Sequence, residues 1–127
     1  MNIRAFIAVA VIGVPNAVFA EQSAVQFEVE LSRNGNVVSS PKAVAEFGKT
    51  VALSTSAMNF EGSATPPDKD GNSLTAVKLQ LFENGEMRPL KEMSMLADLR
   101  KGPSFDVAVP DTDARFVVRA KRVKLPG

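Results

Sequence analysis

Two runs of alternating side chains, each ending in Asn-Gly, constrain this chain more than any other feature. Val25-Gln26-Phe27-Glu28-Val29-Glu30-Leu31 places apolar and polar residues in strict alternation and leads into Arg33-Asn34-Gly35-Asn36. Leu74 to Phe82 sets Val77, Leu79 and Leu81 on one side and leads into Asn84-Gly85. Successive side chains of a strand point to opposite faces, so this pattern writes half-buried strands. Asn-Gly accepts the positive φ angles of a two-residue hairpin turn. The two turns lie fifty residues apart.

The remaining segments continue in the same style. Val37 to Ser40 resumes an extended run, with Pro41 marking an edge or a bend. Ala43–Phe47 and Thr50–Ser54 read as strands around a turn at Gly48-Lys49, and Met58–Glu61 as one more. Residues 62–73, GSATPPDKDGNS, form a loop with two Pro, two Gly and no large apolar side chain. Phe105–Val109 alternates, Pro110 to Asp113 turns the chain, and Arg115–Val123 closes it. Residues 89–101 suit a helix by propensity and a strand by the alternation of Met93, Met95, Ala97 and Leu99. If the two Asn-Gly turns mark two similar β-meander halves joined by the 62–73 loop, Met93–Leu99 is a strand like Ala43–Phe47; the sequence leaves residues 89–101 open between strand and helix. The expected fold is an all-β antiparallel sandwich of seven to nine short strands. Phe27, Phe47, Phe60, Phe82, Phe105 and Phe116 fall nearly one per strand and are the expected core.

The N-terminus sets the compartment. MNIRAFIAVAVIGVPNAVFA has one charged side chain, Arg4, then an apolar run to Val14 and small residues at Val18 and Ala20. This reads as a secretory signal peptide over residues 1–20, cleaved after Ala20. The apolar run falls short of the about 20 residues of a membrane span. No transmembrane segment is therefore expected after cleavage, and residues 21–127 form a single domain. Of 15 basic residues Arg4 is removed, leaving 14 against 14 acidic ones, a net charge of zero. That balance and export argue against nucleic acid as a partner. The chain has no Cys. Small domains exported by eukaryotic cells usually carry disulfides, so a bacterial periplasm, or secretion from a bacterium, fits better.

Function is bounded by what is missing. Without His or Cys there is no Ser-His-Asp or Cys-His catalysis and no His metal site. Without Trp or Tyr the usual anchors of sugar and peptide sites are gone. Glu28 with Glu30 and Asp111 with Asp113 are carboxylate pairs that look solvated, with nothing to raise one pKa for acid–base work. Asp68-Lys69-Asp70-Gly71-Asn72 resembles the opening of a calcium loop. Counting from Asp68, Ser73 stands where a Gly is needed and Leu79 where a bidentate Glu is needed, so a turn is the better reading. Met93-Ser94-Met95 offers two soft thioethers that suit Cu(I), but Met on an alternating segment is more often core filler. No cofactor and no metal ligand set is expected.

One segment has a family resemblance. Residues 37–53, VVSSPKAVAEFGKTVAL, resemble a stretch of the secretins, the outer-membrane ring proteins of bacterial secretion systems. Their pattern there is Ser-x-Pro, a basic residue, a short strand, a turn and a second strand, and Ser39-Ser40-Pro41-Lys42 matches the opening. The resemblance spans 17 of the 107 residues that follow the leader. This chain is too short for a secretin core. The resemblance implies a shared hairpin or a role beside an envelope machine, and no functional residue transfers.

These readings converge on a small soluble exported bacterial protein, non-enzymatic, that binds another envelope protein. Two features are expected to bind: a sheet edge near Val37 and Ser39, which a partner strand could extend, and the basic last strand with Arg115, Arg119, Lys121, Arg122 and Lys124. The alternatives are an assembling pilus or surface-fibre subunit that donates Val25–Leu31 to a neighbour, and a periplasmic copper- or calcium-binding protein. The oligomeric state is open at this level.

Overall fold

In the computed structural model, which describes residues 23–125, the alternation around Val25–Leu31 extends to an eleven-residue strand, β1 (Ser23–Arg33). Asn34 and Gly35 turn the chain with φ angles of 52° and 79° into β2 (Asn36–Ser39). The chain continues through β3 (Lys42–Glu46), β4 (Thr50–Ser54), β5 (Met58–Ala64), β6 (Ser73–Glu83), β7 (Glu86–Pro89), β8 (Met93–Ala97), β9 (Ser104–Ala108) and β10 (Ala114–Lys124). A single 3-10 turn spans Leu99–Lys101. The expected signal peptide lies outside the described residues.

The strands form two five-stranded antiparallel sheets. In the first, β1 is central. β10 runs along one side of it, β2 and β3 share the other, and β9 lies outside β10. In the second, β6 is central, with β5 along one side, β7 and β8 sharing the other, and β4 outside β5. The sandwich holds ten strands rather than seven to nine, because residues 89–101 supply β8 and the segment after each Asn-Gly pairs as a strand of its own.

The repeat is visible in the registers. Phe27 pairs with Ala43 and Val77 with Met93, while Arg33 pairs with Asn36 and Glu83 with Glu86, in each case at an offset of fifty. Asn84 and Gly85 copy the first turn with φ 52° and 80°. Positions 33 and 83 also meet: Arg33 Nη2 lies 2.8 Å from Glu83 Oε1. The two halves do not each keep to one sheet, however. Residues 23–46 build β1–β3 of the first sheet, and β4 and β5 then cross to the second. β6–β8 build the second sheet, and β9 and β10 cross back to the first. Each sheet thus draws strands from both halves, and the apolar faces of the two layers cover each other.

Two other sequence expectations change. The 62–73 loop contracts to residues 65–72, because Gly62 and Ala64 pair with Val77 and Thr75 and prolong β5, while Ser73 opens β6. Phe82 is not core. It is 37% exposed, since it lies one residue from Leu81 and so faces outward. Phe47 is partly buried against the core. Phe27, Phe60, Phe105 and Phe116 are buried, joined by Val29, Leu31, Leu79, Leu81 and Val118. Phe27 of the first sheet meets Phe60 of the second with ring centroids 5.3 Å apart and planes tilted by 58°. Gly62 makes this contact fit: a Cβ there would lie 2.5 Å from Phe60 Cζ and 3.0 Å from the Phe27 ring.

Candidate protein-interaction surface

The outer face of the first sheet neutralises itself. β10 presents Arg115 and Arg119 beside β9 and β1, and both find carboxylates. Arg115 Nε and Nη2 donate to Asp106 Oδ1 and Oδ2 at 2.6 Å each. Arg119 Nη1 donates to Glu30 Oε1 at 2.8 Å and lies 3.9 Å from Glu28 Oε1. Ser40 Oγ donates to Glu28 Oε2 at 3.2 Å. The Arg115 hydrogen bonds hold Asp106 below the usual carboxylate range, and the Glu30 hydrogen bond raises Arg119. Two of the five expected basic docking residues are therefore spent inside the sheet. Lys121, Arg122 and Lys124 stand exposed at the far end of β10. Asp113 lies 3.4 Å from Arg33, so the second carboxylate pair from the sequence also has a basic neighbour.

Val37 is 55% exposed and Ser39 half-buried, on an edge strand whose strand partner is β1. That edge is interrupted by a register shift at Leu31/Ser32 and by the break at Ser40-Pro41 before β3. Residues 37–53, the segment with the secretin resemblance, run through β2, β3 and β4. β3 and β4 belong to different sheets. Val25–Leu31, the segment an assembling subunit would donate, is the paired centre of its own sheet.

The two metal motifs are occupied with structural work. Asp68 Oδ1 accepts the backbone N–H groups of Asp70 and Asn72, each at 2.9 Å, while Asp68 N–H donates to the Asn72 carbonyl at 2.8 Å. One carboxylate oxygen thus closes the loop that calcium would have to open. Met93 and Met95 lie on β8 and are partly buried against the core. Among the described residues no group of three or more acidic side chains converges as a metal site.

The second sheet's outer face is built differently, and sequence reasoning missed it. Directly opposed pairs set Thr50, Ser63, Ala76 and Ser94 in one transverse row across β4, β5, β6 and β8. These small side chains floor a groove of about 380 Å³. Beyond the groove, in the row next to Ala76 and Ser94, Leu74 lies opposite Leu96 on the same face, 48% and 62% exposed. The groove's wall is the row on the other side, where Glu61 opposes Lys78 and Glu92 stands just before β8. Among the described residues Glu61, Lys78 and Glu92 take part in no ion pair. The groove therefore offers a floor of small side chains, hydroxyls among them, and a wall of charged side chains outside any ion pair, with an exposed apolar pair on the same face beside it. The signal in the sequence was parity: Leu74 and Phe82 occupy the polar phase of the β6 alternation, where an apolar side chain is out of place.

No family model, no curated protein and no solved structure matches this chain.

Proposed function

We propose that this protein is a non-enzymatic binding module of the bacterial cell envelope, exported by its leader, and that it docks a segment of another envelope protein. The observation that carries the reading is the contrast between the two outer faces. The first sheet pairs its own charges across Arg115–Asp106 and Arg119–Glu30. Among the described residues, the second leaves Glu61, Lys78 and Glu92 outside any ion pair along a groove, and exposes Leu74 and Leu96 one row beyond Ala76 and Ser94 on the same face. Contiguous exposed apolar surface rimmed by polar groups is typical of protein docking sites. The groove sits at the small end of the ~300–1,000 Å³ of ligand pockets and is open, which suits a few side chains of a partner better than an enclosed small molecule.

A photo-reactive side chain at Ser63, in the groove floor, tests this in the producing cell. The expected result is one adduct of defined mass, absent when the same group sits at Gln26 on the first sheet. Val37 and Lys121 serve as second and third positions, because the β2 edge and the end of β10 are the docking features expected from sequence. Equal labelling at Gln26 and Ser63, or none at either, refutes docking in the groove.

A further inference from the structure

An open sheet must end somewhere, and each edge strand leaves a row of N–H and C=O groups without strand partners. Most edges of this sandwich are guarded. β3 carries Lys42 and Glu46. β9 carries Asp106, clamped by Arg115. β7 carries Glu86, Arg88 and Pro89. β2 is four residues long and ends at a register shift and a proline. β8 lacks charge within the strand but is bracketed by Lys91-Glu92 and by the Asp98–Arg100 ion pair. β4 is bracketed at one end only, by the Lys49–Glu46 ion pair ahead of Thr50. Thr50-Val51-Ala52-Leu53-Ser54 is regular, contains no charge and no proline, and is followed by Thr55-Ser56-Ala57.

The hydrogen-bond phase of β4 says which groups are free. Thr55 N–H donates to the Met58 carbonyl of β5 at 2.9 Å, whereas the Ala57 carbonyl accepts from Phe82 of β6 at 2.9 Å. Residues of an antiparallel strand point their backbone groups alternately to either side. Val51 and Leu53 therefore bond to β5, and Thr50, Ala52 and Ser54 direct theirs to the open edge. By the same reasoning β8 directs only Ser94 and Leu96 outward, because Met93, Met95 and Ala97 pair with β6.

The β4 sequence is also self-complementary. Laid antiparallel on a copy of itself about Ala52, it sets Thr50 against Ser54, Val51 against Leu53 and Ala52 against Ala52. Outward-pointing residues meet outward-pointing residues, hydroxyls meet hydroxyls on the exposed face, and Val meets Leu on the half-buried one. No like charges oppose. A two-fold contact requires this kind of self-matching patch.

We propose that β4 is a dimerisation edge, through which a second copy of this chain pairs Thr50–Ser54 antiparallel about Ala52 and joins the two second sheets into one ten-stranded sheet. Three outward residues on each copy exchange the ladder bonds. The contact is short, so the dimer forms in a concentration-dependent way. It is separate from the groove reading, since a dimer with no groove partner and a groove partner without a dimer are distinct results.

Sedimentation velocity over a wide concentration range tests it. The sedimentation coefficient is expected to rise with concentration toward that of a dimer, and Ala52→Lys, which puts two cations opposite each other on an exposed position, should weaken dimerisation by roughly two- to fivefold. The absence of any native Cys gives a second assay. Directly opposed residues of this phase have Cα atoms ~5.5 Å apart, within the ~4.4–6.8 Å that a disulfide spans. Ala52→Cys should therefore oxidise to a covalent dimer, while Ala108→Cys on the guarded β9 edge should not. Three outcomes overturn the proposal: a monomer at every concentration, Ala52→Cys crosslinking no faster than Ala108→Cys, or a dimer unchanged by Ala52→Lys in a variant whose circular dichroism matches the parent.

Discussion

Thr75→Val should make this protein more stable, although it removes a polar group. Thr75 faces the core from β6 between Ala64 of β5 and Met95 of β8, and is 0% exposed. Its hydroxyl finds no hydrogen-bond partner among the described residues, and neither does that of Ser73, two positions earlier on the same face. A buried hydroxyl without a partner costs about 1–3 kcal/mol of desolvation. Valine keeps the β-branched shape and exchanges that hydroxyl for a methyl. The repeat supplies an internal precedent: Val25 occupies the position fifty residues earlier and packs at 0% exposure. Allowing for imperfect accommodation of the methyl, the expected gain is about 1–2 kcal/mol, or roughly 4–12 °C in melting temperature for a domain of this size. Urea titration followed by circular dichroism measures it, with an unchanged m-value confirming that the two-state comparison holds. A lower midpoint for Thr75→Val would refute the reasoning, for it would mean that the hydroxyl is satisfied, for instance by a water bridging it to Ser73.

Other expectations follow from the same geometry. Gly62→Ala should cost about 1–3 kcal/mol, because its Cβ would collide with the Phe60 and Phe27 rings; denaturant titration that shows no loss would mean that the rings move freely. Phe116→Ala should cost about 3–5 kcal/mol, while Phe82→Ala should cost far less because Phe82 faces outward; equal losses in parallel melts would contradict the assigned faces. Asp98, held down to about 2 by the Arg100 side chain and by the Arg100 backbone N–H, has a folded pKa below its unfolded value of ~3.9. Its contribution is therefore complete above about pH 4 and lost as the pH falls toward 2. A carbon-detected NMR titration should find Asp98 still ionised at pH 3, and an ordinary midpoint there would remove the ion pair. Calcium or EDTA should leave the melting temperature unchanged, because Asp68 Oδ1 already binds the Asp70 and Asn72 amides; a calcium-dependent rise would overturn the turn assignment.

Sequence alone determined the all-β class, the two Asn-Gly turns and most of the strands. Period-two alternation is a local property, readable wherever one face of a strand is buried and the other wet, as in β1 and β10. Asn-Gly requires no tertiary context to turn, and both pairs adopt the positive φ angles their chemistry favours. Residues 89–101 stayed open between strand and helix in the sequence, and pairing with β6 decided that 93–97 is a strand. Only the tertiary structure decided partnership. Whether β4 continues beside β3 or crosses to the other sheet depends on which layer covers the apolar faces, a property of the whole chain. The same holds for the sites. Arg115 and Arg119 read as a free basic cluster until β9 and β1 brought Asp106, Glu30 and Glu28 alongside. The floor of the second sheet's groove consists of four residues from four strands, Thr50, Ser63, Ala76 and Ser94, that no local pattern links. Register sets such a row, and register is fixed by the burial of the opposite face.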